Sequence, residues 1–133
     1  MNMVTYFSVE WKSTRIQKQS SSILIIDARK KCITYAELTM RGDILNQQDG
    51  PLQAGSSAQF FSYLTEIFEQ WNGQLNFSEP TSEDFWWKIK IRIKSGKTYR
   101  IKGTVAYPPY GNVIENKLQN LCAEAGLRIA QTK

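Results

Sequence analysis

The feature that most constrains the fold is a strict alternation of apolar and polar residues between positions 85 and 103. The apolar series consists of Phe85, Trp87, Ile89, Ile91, Ile93, Tyr99, Ile101 and Gly103. The residues between them, most of them cationic, are Trp86, Lys88, Lys90, Arg92, Lys94, Thr98, Arg100 and Lys102. Because successive side chains of a strand point to opposite faces, this period of two predicts a β-hairpin with one buried and one solvated face.

The two faces also decide the register of this hairpin. A two-residue loop at Ser95-Gly96 would set buried residues opposite solvated ones, which a one-residue slip always does. A three-residue loop over residues 94–96 keeps each face uniform and places Ile91 opposite Tyr99. It also gives Gly96 the left-handed bulge position that such loops require. We therefore predict the three-residue loop.

This register brings like charges together on the solvated face. It places Lys90 opposite Arg100 and Lys88 opposite Lys102. Like charges directly opposite each other in a sheet are mildly destabilising. Either a function favours these cations, or nearby carboxylates neutralise them, and Glu83-Asp84 lies just before the first strand.

The cations of the hairpin, together with one tryptophan, are the candidate binding site. Its residues are Trp86, Lys88, Lys90, Arg92, Lys94, Lys97, Arg100 and Lys102. Seven of the 17 Lys and Arg residues lie in this segment, which contains no carboxylate, and the whole chain carries a net charge of +5. A surface of this kind attracts anionic partners.

Three interpretations of this surface are open. The first is a non-catalytic interaction domain that binds an acidic protein partner. The second is a nucleic-acid-binding protein, in which a basic two-stranded ribbon contacts phosphates and Trp86 stacks on a base. The third is a solvated sheet face whose lysines only discourage edge-to-edge aggregation.

Residue types argue against catalysis, a cofactor or a metal. The chain has no histidine, which is the commonest general base and metal ligand. Cys32 and Cys122 are far apart, neither belongs to a CxxC pair, and each is expected to be a small buried residue. No phosphate-binding loop, dinucleotide fingerprint or nucleophile elbow is present. A small-molecule or catalytic role would need a deep pocket with converging carboxylates, and we expect neither an enzyme nor a cofactor.

The remaining elements follow from hydrophobic periodicity and turn residues. Strands are predicted over 3–12, 23–28 and 32–38, a long loop over 40–55, and amphipathic helices over 56–73 and 112–126. The length predicts one domain, residues 1–133. The predicted strands and helices indicate an α+β fold. We expect an antiparallel sheet of about four or five strands with both helices on one face, in the order strands, helix, hairpin, helix. The expected core is Phe60, Leu64, Phe68, Trp71, Trp87, Ile89, Ile91, Ile101, Leu118 and Leu121.

Two further patterns bear on location. No apolar run approaches the roughly 20 residues that cross a bilayer, so no membrane partner is expected. The first twelve residues alternate polar and apolar residues and do not form a basic leader followed by an apolar core. We therefore expect a cytoplasmic protein; the sequence does not indicate its oligomeric state.

The second half of the chain carries a set of turn and core motifs. They are Trp71-Asn72-Gly73 at the end of the first helix, Glu83-Asp84, Trp87-x-Ile-x-Ile, Ser95-Gly96-Lys97, Gly103, Ala106-Tyr107-Pro108, and Leu118 with Leu121. Residues 58–127 thereby resemble a family of small, functionally uncharacterised α+β domains from low-GC Gram-positive bacteria. The hairpin is more basic than that family's pattern, which has acidic turn residues. The resemblance implies a compact α+β domain and no activity, cofactor or catalytic residue.

Overall fold

The computed structural model describes residues 3–12, 20–39, 41–71, 76–77, 87–103 and 111–127. The elements in chain order are β1 (Val4–Lys12), β2 (Ser20–Asp27), β3 (Cys32–Thr39), β4 (Ile44–Pro51), α1 (Ala54–Gln70), β5 (Asn76–Phe77), β6 (Trp87–Ile93), β7 (Thr98–Gly103) and α2 (Gly111–Ala125).

The strands form one seven-stranded sheet in the order β4-β3-β2-β1-β6-β7-β5. Six of them are antiparallel to their neighbours, and the two-residue β5 pairs with β7 in parallel. The α+β class is confirmed. The expected four or five strands are too few, since β4 and β5 add to the sheet. The expected element order is also not matched, because β5 lies between α1 and the hairpin.

The segment predicted as a long loop, residues 40–55, contains β4 instead. Its polar run Asn46-Gln47-Gln48-Asp49 has no alternation of apolar residues, and it ends at Gly50-Pro51. The strand forms because its backbone pairs with β3 along most of its length. Most of its side chains are exposed, so burial left no pattern in the sequence.

The predicted hairpin register is confirmed. Ile91 lies opposite Tyr99 and Lys90 lies opposite Arg100. The N–H of Ile93 donates to the carbonyl oxygen of Lys97 at 3.0 Å, which closes a three-residue loop. Gly96 has a φ of +98°, the left-handed conformation that the bulge position requires.

Both helices pack on the same face of the sheet, as expected. Four positions lie side by side across four strands and therefore share one face of the sheet: Phe7, Ile26, Ile33 and Gly50. Phe60 of α1 meets Phe7 edge-to-face, with 5.7 Å between ring centroids. At the other end of this row, α2 lies so close that a β-carbon on Gly50 would be 2.8 Å from that of Ala125.

Nine of the ten expected core residues are buried; the exception is Phe68. Phe68 is half-buried at the rim, where its ring lies 4.8 Å from that of Tyr99 on β7. The largest fully buried side chain is Trp87 at the start of β6. The strand that carries the cations is therefore held in place by the centre of the core. No helix within the described ranges is long and apolar enough to cross a membrane.

The helix ends differ in how well the sequence predicted them. Helix α1 starts before Ser56, because the N–H of Ser57 already donates to the carbonyl oxygen of Gln53 at 2.9 Å. Ser56 is therefore inside the helix and donates to Glu124 of α2 at 2.9 Å. The predicted end of α1 at Gly73 lies outside the described residues. Helix α2 ends as predicted at Gly126, whose φ is +78°.

Candidate partner-binding surface of the sheet

The sheet face opposite the two helices, here called the open face, carries the polar residues of the hairpin. Five cations on β6 and β7 lie on it, and we call them the cation face: Lys88, Lys90, Arg92, Arg100 and Lys102. They form three rows across the two strands, with Lys88 opposite Lys102, Lys90 opposite Arg100 and Arg92 opposite Thr98. Rows are about 6.7 Å apart along a strand. The five charges therefore occupy a strip about 13 Å long and two strands wide.

The neighbouring strand β1 extends this surface with an aromatic ring. Tyr6 lies opposite Arg92. The guanidinium carbon of Arg92 is 4.8 Å from the centroid of the Tyr6 ring, and the Nζ atom of Lys90 is 5.9 Å from it. Both distances are in the range of cation–π interactions. The ring holds these two cations against the sheet, and both side chains are half-buried.

One carboxylate offsets the charge at a single corner of the cation face. Glu10 lies opposite Lys88, and its Oε2 atom accepts a hydrogen bond from Ser21 Oγ at 2.8 Å. The middle row has no such group, because the residue opposite Lys90 on β1 is the buried Ser8. Within the described ranges, no carboxylate forms an ion pair with Lys90 or Arg100. The other expected neutralising residues, Glu83 and Asp84, lie outside the described residues.

The structure does not bring all the predicted site residues together. Lys94 and Lys97 lie in the exposed turn, outside the three rows. The Nζ atom of Lys97 is 5.1 Å from the centroid of Tyr99, whose side chain lies on the helix-covered face opposite Ile91. Lys97 is therefore directed away from the cation face, because it lies opposite the buried Ile93 and shares the face of Tyr99. Trp86 lies outside the described residues.

Two residues of the surface were not predicted as part of it. Tyr6 and Glu10 belong to the polar side of β1, which the alternation in residues 3–12 does show. The sequence does not reveal which strand pairs with β1. The pairing with β6 spans most of the chain and leaves no local pattern.

The open face changes character away from the cations. On β2, the half-buried Ile23 and Ile25 form an apolar strip next to Glu10 and Ser8. On β4, the exposed Asp49 accepts hydrogen bonds from Thr34 Oγ1 at 2.6 Å and from the side-chain amide of Gln47 at 3.1 Å. These bonds, that from Thr34 first, lower the pKa of Asp49 from its ordinary value. The charge on this face therefore runs from negative on β4 to positive on β6 and β7.

The two cysteines have different surroundings. Cys122 is buried, and burial raises the pKa of its thiol to about 12, whereas Cys32 is half-buried. At neutral pH a pKa near 12 leaves about a thousandfold less thiolate than the ordinary value of 9.0. In the part of the chain that the structure describes, no group of three His, Cys, Asp or Glu residues could hold a metal ion.

Alkylation should separate the two thiols. We expect iodoacetamide to modify Cys32 of the folded protein well before Cys122, because the reagent needs an accessible thiolate. Peptide mass spectrometry over a time course measures both rates. In urea the two rates should become similar, which is the internal control. Equal rates in the folded protein would show that Cys122 is not shielded.

Comparison with known proteins gives no relative: no family model matches the chain, and no curated protein or solved structure is significantly similar to it.

Proposed function

We propose that this protein is a non-catalytic interaction domain that binds an acidic region of a protein partner through the cation face. The observation that carries the proposal is the middle row, where Lys90 and Arg100 lie side by side without an ion pair among the described residues. Like charges in this arrangement cost stability. A partner's carboxylate placed between them would remove that cost.

The arrangement of β6 in the sheet favours a protein partner over a nucleic acid. A two-stranded ribbon fits the DNA major groove, which is about 12 Å wide. Here β6 is an interior strand between β1 and β7, in a sheet whose six antiparallel strands span about 24 Å. This sheet is too wide to enter the groove. Because β6 is an interior strand, its lysines do not protect a sheet edge.

The aromatic contact on the cation face supports the same choice. Base stacking on single-stranded nucleic acids needs the open side of a ring. The Tyr6 ring instead lies against the side chains of Arg92 and Lys90. What the surface offers is positive charge in rows about 6.7 Å apart, which is also the spacing of alternate side chains in an extended acidic peptide.

The residue inventory supports a role without catalysis. The chain has no histidine, and the raised pKa of Cys122 makes that thiol a poor nucleophile. The proposal keeps the cytoplasmic location expected from the sequence, where acidic segments of other proteins are available as partners. It also keeps the family resemblance as a hypothesis.

A charge-reversal variant tests the proposal. Lys90→Glu combined with Arg100→Glu should weaken binding of a fluorescein-labelled oligoglutamate peptide at least about tenfold, because each reversal replaces attraction by repulsion. Fluorescence anisotropy at several salt concentrations measures the affinity. The matched control is Arg29→Glu with Lys30→Glu, two exposed cations of the β2–β3 turn. It makes the same change in net charge away from the site and should alter the affinity less than about twofold.

A single-stranded oligonucleotide of equal charge provides the competing outcome. If it binds more tightly than the peptide and loses affinity in the same variant, the nucleic-acid interpretation replaces the proposal. If the peptide binds the charge-reversed protein as well as the original, the cation face is not the site. Circular dichroism of each variant checks that the fold is retained.

A further inference from the structure

The outer edge of β7 carries backbone groups that point away from the sheet. Closely spaced hydrogen-bonded pairs alternate with non-bonded pairs along an antiparallel ladder. The Ile93 N–H donates to the carbonyl oxygen of Lys97, so this pair is a bonded one. Counting along β7 from Lys97, the groups of Tyr99 and Ile101 point toward β6. The N–H and C=O groups of Thr98 and Arg100 therefore point outward.

The described part of strand β5 covers the far end of this edge, where it pairs with β7 at Lys102 and Gly103. Among the described residues, no hydrogen bond is made to the outward groups of Thr98 and Arg100. We call this stretch the β7 edge. Unpaired edge groups of this kind accept an added strand from another chain.

We infer that the β7 edge binds an extended acidic segment of the partner as an additional strand. This inference rests on the proposed function and names the form in which the partner binds. The side chains of Thr98 and Arg100 lie on the open face, so a partner residue paired directly with Arg100 lies on that face too. Its β-carbon would be about 5 Å from that of Arg100. A carboxylate there meets the guanidinium, and Lys90 is the next residue across the sheet.

The alternation of strand side chains defines the sequence of the partner segment. Residues two positions apart fall on the open face, where acidic side chains meet Arg100 and the Arg92–Thr98 row. The residues between them fall on the other face, beside Tyr99, whose ring packs on Phe68. Apolar side chains fit that side. The partner segment therefore alternates acidic and apolar residues.

The edge at the other end of the sheet, on β4, differs in charge. Leu52 N–H donates to the carbonyl oxygen of Lys31, so the same alternation makes Gln47 and Asp49 the outward residues of β4. The side chain on that edge is the carboxylate of Asp49 rather than a cation. An acidic strand is attracted to the β7 edge and repelled from β4. The two edges therefore serve as site and control within one molecule.

Amide exchange followed by NMR tests the inference, with an alternating glutamate–valine peptide as the probe. At a free peptide concentration of 100 times Kd, exchange of the Thr98 and Arg100 amides should slow about 100-fold, because only the unbound fraction exchanges. The Gln47 and Asp49 amides on β4 should be unchanged. Equal slowing at both edges, or none at Thr98 and Arg100, would overturn the inference.

N-methylated peptides give an independent readout that leaves the protein intact. Only every second amide of an added strand points toward β7. Methylating the glutamate nitrogens or the valine nitrogens should therefore weaken binding at least about tenfold in one set and little in the other. The methylated set that loses binding shows whether the added strand runs parallel or antiparallel to β7. Equal effects of the two sets would contradict strand addition.

The outcomes separate this inference from the proposed function. If the Lys90→Glu, Arg100→Glu variant loses the peptide but no edge amide is protected in the original protein, the partner binds the cation face without adding a strand. If the edge amides are protected and charge reversal has no effect, strand addition holds and the charge-based function fails. If the probe peptide does not bind at all, both are overturned.

Discussion

Replacing Gly103 with alanine is expected to lower the free energy of unfolding by about 3 kcal/mol, the upper range for overpacking a core. Gly103 lies opposite Trp87, and its missing side chain leaves the space that the indole ring occupies. An added β-carbon would overlap the Cζ2 and Cε2 atoms of that ring. Trp87 is 0% exposed, so a shift of the ring has to displace other side chains of the core. Urea denaturation measures the loss as a lower midpoint at an unchanged slope.

The same substitution elsewhere provides the control. Gly55 lies in the first turn of α1, with nothing within 4 Å of an added β-carbon. Gly55→Ala should be neutral or stabilise the protein by up to about 1 kcal/mol, because alanine favours helix. In a Trp87→Phe background, Gly103→Ala should lower the free energy of unfolding clearly less. The smaller phenylalanine side chain lacks the fused second ring of the indole, to which the overlapping atoms belong. An equal cost in both backgrounds would contradict the proposed overlap.

Replacing Phe7 with alanine is expected to destabilise the protein by about 4 kcal/mol, in the range for removing a buried phenylalanine. Phe7 is 0% exposed and lies on the central strand β1. Its ring meets Phe60 edge-to-face at an interplanar angle of 85°. The substitution leaves a cavity where the sheet contacts α1. Denaturant unfolding followed by tryptophan fluorescence measures the change.

An exposed apolar residue is the control for this prediction. Ile44 on β4 is 60% exposed, and Ile44→Ala should change stability by less than about 0.5 kcal/mol. A double-mutant cycle with Phe60→Ala should give a coupling of about 1 kcal/mol between the two rings. If Phe7→Ala costs no more than Ile44→Ala, the core does not centre on β1.

The sequence is most informative where buried and exposed residues recur in a regular pattern within one element. In the hairpin, isoleucines alternate with cations, and this fixes the two faces, the register and the position of Gly96. The apolar spacing of Phe60 and Leu64 likewise predicts the buried side of α1. These patterns arise because one side of each element meets the core and the other meets water.

Where an element gains its stability from the backbone alone, the sequence carries little signal. Strand β4 is an edge strand with mostly exposed side chains, and its pairing with β3 provides hydrogen bonds that any residues could make. The Gly50-Pro51 end has the composition of a turn. Gly50 is nevertheless required there because α2 packs closely against it.

The candidate site shows the same division. Five of its cations follow from the alternation, because they share a face within one hairpin. Tyr6 and Glu10 could not be assigned to it, since a strand pattern does not identify its neighbour. Lys97 lies on the other face from these cations, because it is opposite Ile93 and two residues before Tyr99, a position that the alternation already shows.

The central position of β1 has a consequence for the order in which the protein folds. Thr5 Oγ1 donates to the carbonyl oxygen of Arg92 at 3.3 Å, which joins residues 87 positions apart. A chain leaving the ribosome can form the β1–β4 meander from local pairings, but the second side of β1 stays open until β6 has been made. The positive charges on the hairpin disfavour its association with other copies between its synthesis and its docking against β1. The cations of the hairpin would thus also protect the nascent chain while its sheet is still in two parts.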